Sequence, residues 1–316
     1  MPYLIAEIGF NHGGDVDLAA RMIEAAADAG ADAVKFQSFT ADDLYFPGHE
    51  AYAIFAAGEL GEEDHHRLKR VADRRGIDFL STPLGVRWVD FLDRLGVPGF
   101  KIASMDVANP VLLDAVGRCG KRVYLSTGGA TVDEIRTGVD RLAAAGASSV
   151  CVLHCVSNYP TRPDEAALAT IPLLRSLFGD DVGFSDHTLG VAVPTGAVAL
   201  GARVIEKHFT IDNALPGPDN ATAADPVAFA ALVAAAREVE AATAATASLA
   251  AADRPDGAKR SIMRRSAYAA APIAAGEIIT LDRLRLVRPE GAPLGETLAL
   301  RLGKPATKKY DFGEPV

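Results

Sequence analysis

The residues with the most chemical reach in this chain stand in two short segments, Gly183-Phe184-Ser185-Asp186-His187-Thr188 and Val204-Ile205-Glu206-Lys207-His208-Phe209-Thr210. Each runs from an apolar stretch straight into a histidine beside a carboxylate. They lie about one strand-helix-strand unit apart, the separation at which adjacent parallel strands would bring two imidazoles together. Neutral nitrogens of His187 and His208 could hold a divalent ion and leave coordination positions open for substrate or water. One histidine at a strand end is commonly a satisfied structural group; two at matching positions on successive strands point to a metal.

The elements that must position them are legible as eight short apolar runs: Leu4–Ile8, Ala33–Phe36, Asp78–Leu80, Gly99–Ile102, Val123–Leu125, Ser149–Leu153, Val182–Phe184 and Arg203–Ile205. Ala/Leu/Glu-rich helical patterns separate them. That alternation predicts an α/β fold with a parallel sheet and crossover helices, and eight strands close it into a (β/α)8 TIM barrel. Helix signals agree: Asp15 opens Leu18–Ala29, Gly30 closes it, and Thr131 stands three residues before Glu134, capping-box spacing ahead of Ile135–Leu142.

Catalytic groups of such a barrel come from the carboxyl ends of the strands, where the loops converge over one mouth. Those ends carry Glu7, Lys35 with Gln37, Ser81-Thr82, Lys101 with Ser104 and Asp106, Ser126-Thr127, His154, Ser185-Asp186-His187, and Glu206 with His208. Lys35 and Lys101 adjoin apolar core residues, where a solvated charge is not expected. Two lysines and several hydroxyls at one mouth suit a phosphate or carboxylate ligand. Glu7 and Glu206 could be general acids or bases or could bind sugar hydroxyls; the sequence does not divide those roles. His12, in Asn11-His12-Gly13-Gly14, either covers the site or braces the first loop.

Residues 1–246 are read as the barrel, ending in a helix from about Asp225 to Ala245. Residues 247–262, with Asp253-Arg254-Pro255-Asp256-Gly257, are read as a linker, and residues 263–316, which have turn signals and no long amphipathic helix, as a small β-rich module. The net charge of −9 argues against non-specific nucleic-acid binding, which relies on Lys and Arg at phosphates. No run approaches the ~18 apolar residues of a membrane span. The N-terminus lacks the basic region of a secretory signal, and the three cysteines, Cys119, Cys151 and Cys155, have no disulfide-framework spacing. A cytoplasmic protein with buried thiols is expected.

With these residues in view, the chain resembles the sialic acid synthase family, the phosphoenolpyruvate-condensing enzymes that make N-acetylneuraminate and related nonulosonic acids. The resemblance runs through Ala6-Glu7-Ile8-Gly9, Ala31-Asp32-Ala33-Val34-Lys35-Phe36-Gln37, Phe79-Leu80-Ser81-Thr82-Pro83, Phe100-Lys101-Ile102-Ala103-Ser104, Leu125-Ser126-Thr127-Gly128, Leu153-His154-Cys155 with Tyr159-Pro160-Thr161, the two histidine segments, and Gly217-Pro218-Asp219. The tail, from about Arg264 through Val287-Arg288-Pro289 to Gly313-Glu314-Pro315, is similar to the antifreeze-like (SAF) domain that follows the barrel in that family.

The resemblance implies a set of roles. Lys35, Thr82, Lys101, Ser104, Ser126 and Ser185 would hold phosphoenolpyruvate; His187 and His208 would bind Mn²⁺, or Mg²⁺. Glu7 would serve as acid/base, Glu206 would contact the sugar or orient the metal site, and Gln37, Asp106, Tyr159, Asp219 and Arg288 would lie on the sugar side. The acceptor would be an open-chain N-acetylated hexosamine, N-acetylmannosamine or a 2,4-diacetamido-trideoxyhexose. Arg288 would reach the sugar site of the other subunit in a domain-swapped homodimer. Asp106, Met105, Gly129 and Asn220 depart from residues common in relatives and are expected to touch the sugar side. Tyr45–Glu59 carries no matching motif. Two other readings stay open: a barrel aldolase or lyase with a Schiff-base lysine, and a non-catalytic sugar- or ice-binding protein, against which stand the arginines of the tail.

Overall fold

The computed structural model describes residues 1–244 and 256–316, which fall in two compact units, Met1–Ala244 and Ala245–Val316. The first is a closed barrel of eight parallel strands in sequential order: β1 (Tyr3–Gly9), β2 (Ala33–Ser38), β3 (Asp78–Pro83), β4 (Gly99–Ile102), β5 (Arg122–Ser126), β6 (Ser149–Cys155), β7 (Val182–Asp186) and β8 (Val204–His208). All eight expected runs form strands, most of them a residue or two longer than their apolar stretch. β1 pairs with both β2 and β8, which closes the sheet.

Successive residues of a strand face opposite sides, and here both sides are buried. One set, including Leu4, Val34, Phe79, Phe100, Val123, Val152 and Ile205, packs under the surrounding helices in the main core. The alternate set, Ile5, Ala33, Leu80, Tyr124, Cys151, Leu153 and Val204, fills the barrel's interior. Two residues further along each of several strands, the same inward parity delivers the polar groups described below.

The helices start and stop on local chemistry. The Asp15 carboxylate accepts from the backbone N–H groups of Asp17 and Leu18 and caps Val16–Asp28. Thr131 and Glu134 form the expected capping box on Val132–Ala145. Asp225 caps the last barrel helix, Pro226–Thr243. Between β2 and β3, two short helices, Ala41–Leu44 and Tyr52–Ala57, precede the crossover helix Glu62–Arg75.

The second unit has its own small core, Ala267, Ala269, Ile273, Ile279, Leu284, Ala306, Tyr310 and Val316. Around it lie a two-stranded antiparallel sheet, Ser266–Ala269 with Leu284–Val287, and a short helix, Leu294–Arg301. Most of the expected linker lies outside the described residues. Its end does not run as plain loop: Gly257–Lys259 is a 3-10 turn that leads into a helical turn at Arg260–Met263. Among the described residues, no helix is long and apolar enough to cross a membrane.

Candidate active site

Inward parity carries Glu7, Lys35 with Gln37, Thr82, Lys101, Ser126, Cys155, Ser185, Glu206 and His208 to the carboxyl-terminal end of the barrel, and His187 follows just beyond β7. All line one cavity of about 510 Å³, within the size range of small-molecule sites. The register explains the grouping. Glu7 stands beside Lys35 on β2 and beside His208 on β8, Gln37 beside Thr82, and Ser185 beside Glu206. The pairing register with β2 shifts between Glu7 and Gly9, where Gly9 takes φ +58°. A side chain there would be strained and would press on the Glu7 carboxylate 3.3 Å away.

Four charged side chains form the floor, each at most 5% exposed. Lys35 Nζ lies 2.7 Å from Glu7 Oε2 and 3.9 Å from Glu206 Oε2, and it donates to Thr82 Oγ1 at 3.1 Å. Lys101 Nζ lies 3.7 Å from Glu206 Oε1 and donates to the Ile102 carbonyl. Ser185 Oγ donates to Glu206 Oε1 at 3.0 Å, and Gln37 Nε2 to Glu7 Oε1 at 3.1 Å. The lysines expected to meet an anion are therefore paired with carboxylates.

The two carboxylates differ in acidity. Burial raises the pKa of Glu7 and the Glu206 charge adds to that push, so the rise survives the opposing pull of Lys35. Burial would also raise Glu206, but Lys101 and Lys35, helped by the Ser185 hydroxyl, outweigh it and hold that carboxyl below its ordinary value. Burial lowers the Lys101 ammonium despite Glu206. Two neighbouring carboxyls pushed apart in this way are suited to unlike roles, one holding a proton and one a charge.

The histidine side of the mouth lies beside this floor. The His187 and His208 rings are 5.4 Å apart, and the Tyr159 ring packs 4.0 Å from His187 and 5.7 Å from His208. His187 Nδ1 donates to the Val156 carbonyl at 2.7 Å, which fixes the ring and leaves Nε2 for another partner. Burial opposes a charge on His187, yet the Cys155 thiol and the Val156 carbonyl outweigh it and raise its pKa. Burial, with His187 adding to it, holds His208 well below the ordinary histidine value, so that ring is neutral. His208 Nδ1 is buried without a hydrogen-bond partner, 3.8 Å from Asp219 Oδ2. These are fitting donors for a divalent ion. Among the described residues, no group of three or more His, Cys, Asp or Glu side chains is arranged to hold a metal, so water or substrate would supply most of the coordination.

The structure corrects several expectations. His154 has the outward parity: its ring stacks on Phe184 and its Nε2 bonds the Ala166 carbonyl, so it takes no part in the mouth. Asp106 is not among the residues lining the cavity; its Oδ1 accepts from Asn109 Nδ2 in the turn before the next helix, and its Oδ2 is buried without a partner. His12 braces the first loop by accepting from Gly14 N. Of the departing residues only Met105 lines the cavity. Asn220 is fully buried, donating to the Asn11 and Pro216 carbonyls and accepting from Thr210. Asp186 and Lys207 form a buried ion pair at 2.6 Å on the far side of the histidines. Arg288 is exposed in the second unit.

Ser104, Tyr159 and Asp219 do line the cavity. Ser104 Oγ accepts from Gly128 N, and any side chain at Gly128 would run into Ser157 and Ser104. Ser126 Oγ is buried with no partner, a hydroxyl free for a ligand. Sequence reasoning missed Cys155 as a lining group, though it shares the parity of Cys151 and Leu153. It also missed Phe10, Leu44, Ile54, Phe55 and Leu84, which the segments after β1 to β3 contribute and for which no periodic signal exists.

Comparison with known proteins agrees with the barrel and the second unit. The NeuB family profile matches residues 22–247 and the SAF domain profile residues 264–309. A protein of Methanocaldococcus jannaschii with no assigned activity is 42% identical over 290 residues, 91% of this chain and 85% of that one. The N,N'-diacetyllegionaminic acid synthase of Legionella pneumophila is 40% identical over 256 residues, 75% and 72% of the two chains. The crystal structure of an N-acetylneuraminic acid synthetase from Leptospira borgpetersenii superposes with a TM-score of 0.76 at 37% identity, covering 82% of this chain and 88% of that one. The chain belongs to the NeuB family of sialic acid-type synthases, a barrel enzyme followed by a SAF domain.

Proposed function

We propose that the chain is a nonulosonic acid synthase that joins phosphoenolpyruvate to the aldehyde of an open-chain N-acylated hexosamine and releases inorganic phosphate. The observation that carries this reading is the sorting of one cavity into a floor of buried lysines and carboxylates and a mouth with two facing histidines. The relatives named as legionaminic and neuraminic acid synthases support it.

Proton uptake by Glu7, whose pKa burial raises, would leave Lys35, Lys101 and Glu206 with one net positive charge and free the Lys35 ammonium from that ion pair for an incoming anion. Lys35, Lys101, Thr82, Ser104, Ser126 and Ser185 then hold the phosphate and carboxylate of the donor. His187 and His208 would hold Mn²⁺ or Mg²⁺, whose chemistry when bound is Lewis-acid polarisation of the acceptor's aldehyde. The methylene carbon of phosphoenolpyruvate forms a bond to the aldehyde carbon, and the aldehyde oxygen takes up a proton, for which Glu7 Oε2 is the nearby source. Water adds to the resulting cationic carbon with loss of a proton, and the tetrahedral intermediate expels phosphate by breaking its C–O bond. Gln37, Tyr159, Glu206 and Asp219 orient the sugar.

The C-terminal unit enters through the partner subunit's Arg288, which completes the sugar side in a domain-swapped homodimer. A dimeric mass, with Arg288→Ala raising the sugar KM and leaving the mass unchanged, supports this part; a monomeric active enzyme removes it. A cytoplasmic location belongs to the same reading.

The test is phosphate release from phosphoenolpyruvate with Mn²⁺ and a panel of N-acylated hexosamines. Turnover with at least one sugar, abolished by a chelator, is expected; no release across the panel with folded protein overturns the proposal. His208→Ala should weaken Mn²⁺ binding measured by calorimetry. The depressed Lys101 amine also favours a Schiff-base aldolase. Covalent trapping by borohydride with a keto substrate would select that reading, and its absence alongside phosphate release would reject it.

A further inference from the structure

The cavity has two unlike halves. The half from β6, β7 and β8 presents Tyr159, His187, His208 and Asp219, whereas the half from the segments after β1 to β4 presents Phe10, Leu44, Ile54, Phe55, Leu84 and Met105. The β2–β3 segment is rich in acidic residues, and three of them, Asp42, Asp43 and Glu59, are taken up by nearby groups outside the cavity. Asp43 accepts from the Thr40 N–H and hydroxyl and from Trp88 Nε1, Glu59 from Ala41 N, and Asp42 from the Tyr52 hydroxyl. What remains for the cavity is apolar, save the Tyr45 hydroxyl.

This wall is built, not incidental. The Phe55 ring lies 5.1 Å from Phe10, 5.7 Å from Phe39 and 5.3 Å from Tyr45. A side chain at Gly58 would come within 3.1 Å of Phe10. With the acceptor aldehyde at the histidine half, beside the donor, the remote end of the sugar chain meets this wall. A hydroxyl against this wall would meet carbon, with the Tyr45 hydroxyl as its polar neighbour in that segment, whereas methyl and acyl groups would gain contact.

Resting on the condensation proposed above, we propose that the acceptor is a deoxy hexose with two acylamino groups, whose methyl-bearing end packs on the wall formed by Phe10, Leu44, Ile54, Phe55, Leu84 and Met105, in preference to a fully hydroxylated N-acetylhexosamine. An apolar pocket discriminates against an added hydroxyl only moderately, by about 10- to 100-fold.

The test compares kcat/KM for 2,4-diacetamido-2,4,6-trideoxymannose and N-acetylmannosamine at saturating phosphoenolpyruvate and Mn²⁺. The first should exceed the second by about 10- to 100-fold. Ile54→Asn and Leu84→Asn should each narrow that ratio, chiefly through KM. Ile54 is 57% exposed, so its replacement leaves the fold intact. Equal or better use of N-acetylmannosamine overturns this inference and leaves the condensation standing. A ratio unmoved by both variants removes the wall as its cause, and turnover of neither sugar overturns this inference, while the wider sugar panel decides the condensation.

Discussion

Lys207 and Asp186 alternate in sequence with the two histidines, and their ion pair sits on the opposite face of β7 and β8. Lys207 Nζ lies 2.6 Å from Asp186 Oδ2 and donates to the Thr188 carbonyl at 2.5 Å, and the two residues are 4% and 1% exposed. Asp186 Oδ1 in turn accepts from Thr188 N. The pair thus ties both histidine-bearing strand ends together. Lys207→Met leaves the Asp186 charge buried with only a backbone partner, a change that typically costs about 3–5 kcal/mol. At about 2–4 °C per kcal/mol for a domain of this size, the apparent Tm should fall by on the order of 10 °C. Lys207→Met combined with Asp186→Leu removes the orphaned charge and should recover much of the loss, because the two changes share one interaction. Thermal unfolding of the parent, both single variants and the double variant provides the cycle. Single variants within 2 °C of the parent, or losses that simply add, would refute the reasoning.

Two more outcomes follow from the buried groups. Burial pushes the His12 pKa down to about 4 from an ordinary 6.5. A group depressed on folding contributes stability present above pH 6.5 and lost as the pH falls through 4, here by up to about 3 kcal/mol. Burial lowers His65, His154 and His208 as well, adding to the same acid loss. Acid unfolding of His12→Gln should show a shallower decline between pH 6.5 and 4; an unchanged slope contradicts the assignment. Glu7→Gln keeps the Gln37 neighbour but removes the proton source beside the reacting carbons, and kcat should fall by roughly 10²–10⁴ with little change in the phosphoenolpyruvate KM. An intact kcat would take Glu7 out of the chemistry.

Much of the site was legible because a barrel strand has only two faces. Once Ile5 and Ala33 are placed inward, Glu7 and Lys35 must follow, and the same rule sets Lys101, Ser185 and Glu206. The misplacement of His154 was an error of one residue: its neighbour Cys155 has the inward parity and takes the lining position. Asp106 and Asn220 stand beyond strand ends, where no period constrains a side chain; Asp106 accepts from nearby Asn109, and Asn220 bonds Thr210 and the Asn11 carbonyl of the first loop. The apolar wall was invisible for the same reason: Leu44, Ile54 and Phe55 belong to two short helices whose exposure depends on how they fold over the mouth. The pairing of the floor lysines with Glu7 and Glu206 needed distances that sequence does not carry.

The central claim is tested most directly by phosphoenolpyruvate labelled with ¹⁸O at the bridging oxygen, incubated with Mn²⁺ and the acceptor sugar, with both products weighed by mass spectrometry. The account predicts that phosphate carries the label and that the sugar gains a three-carbon acid unit in the same molar amount. Label retained in the sugar acid, or phosphate released without any sugar product, would contradict it.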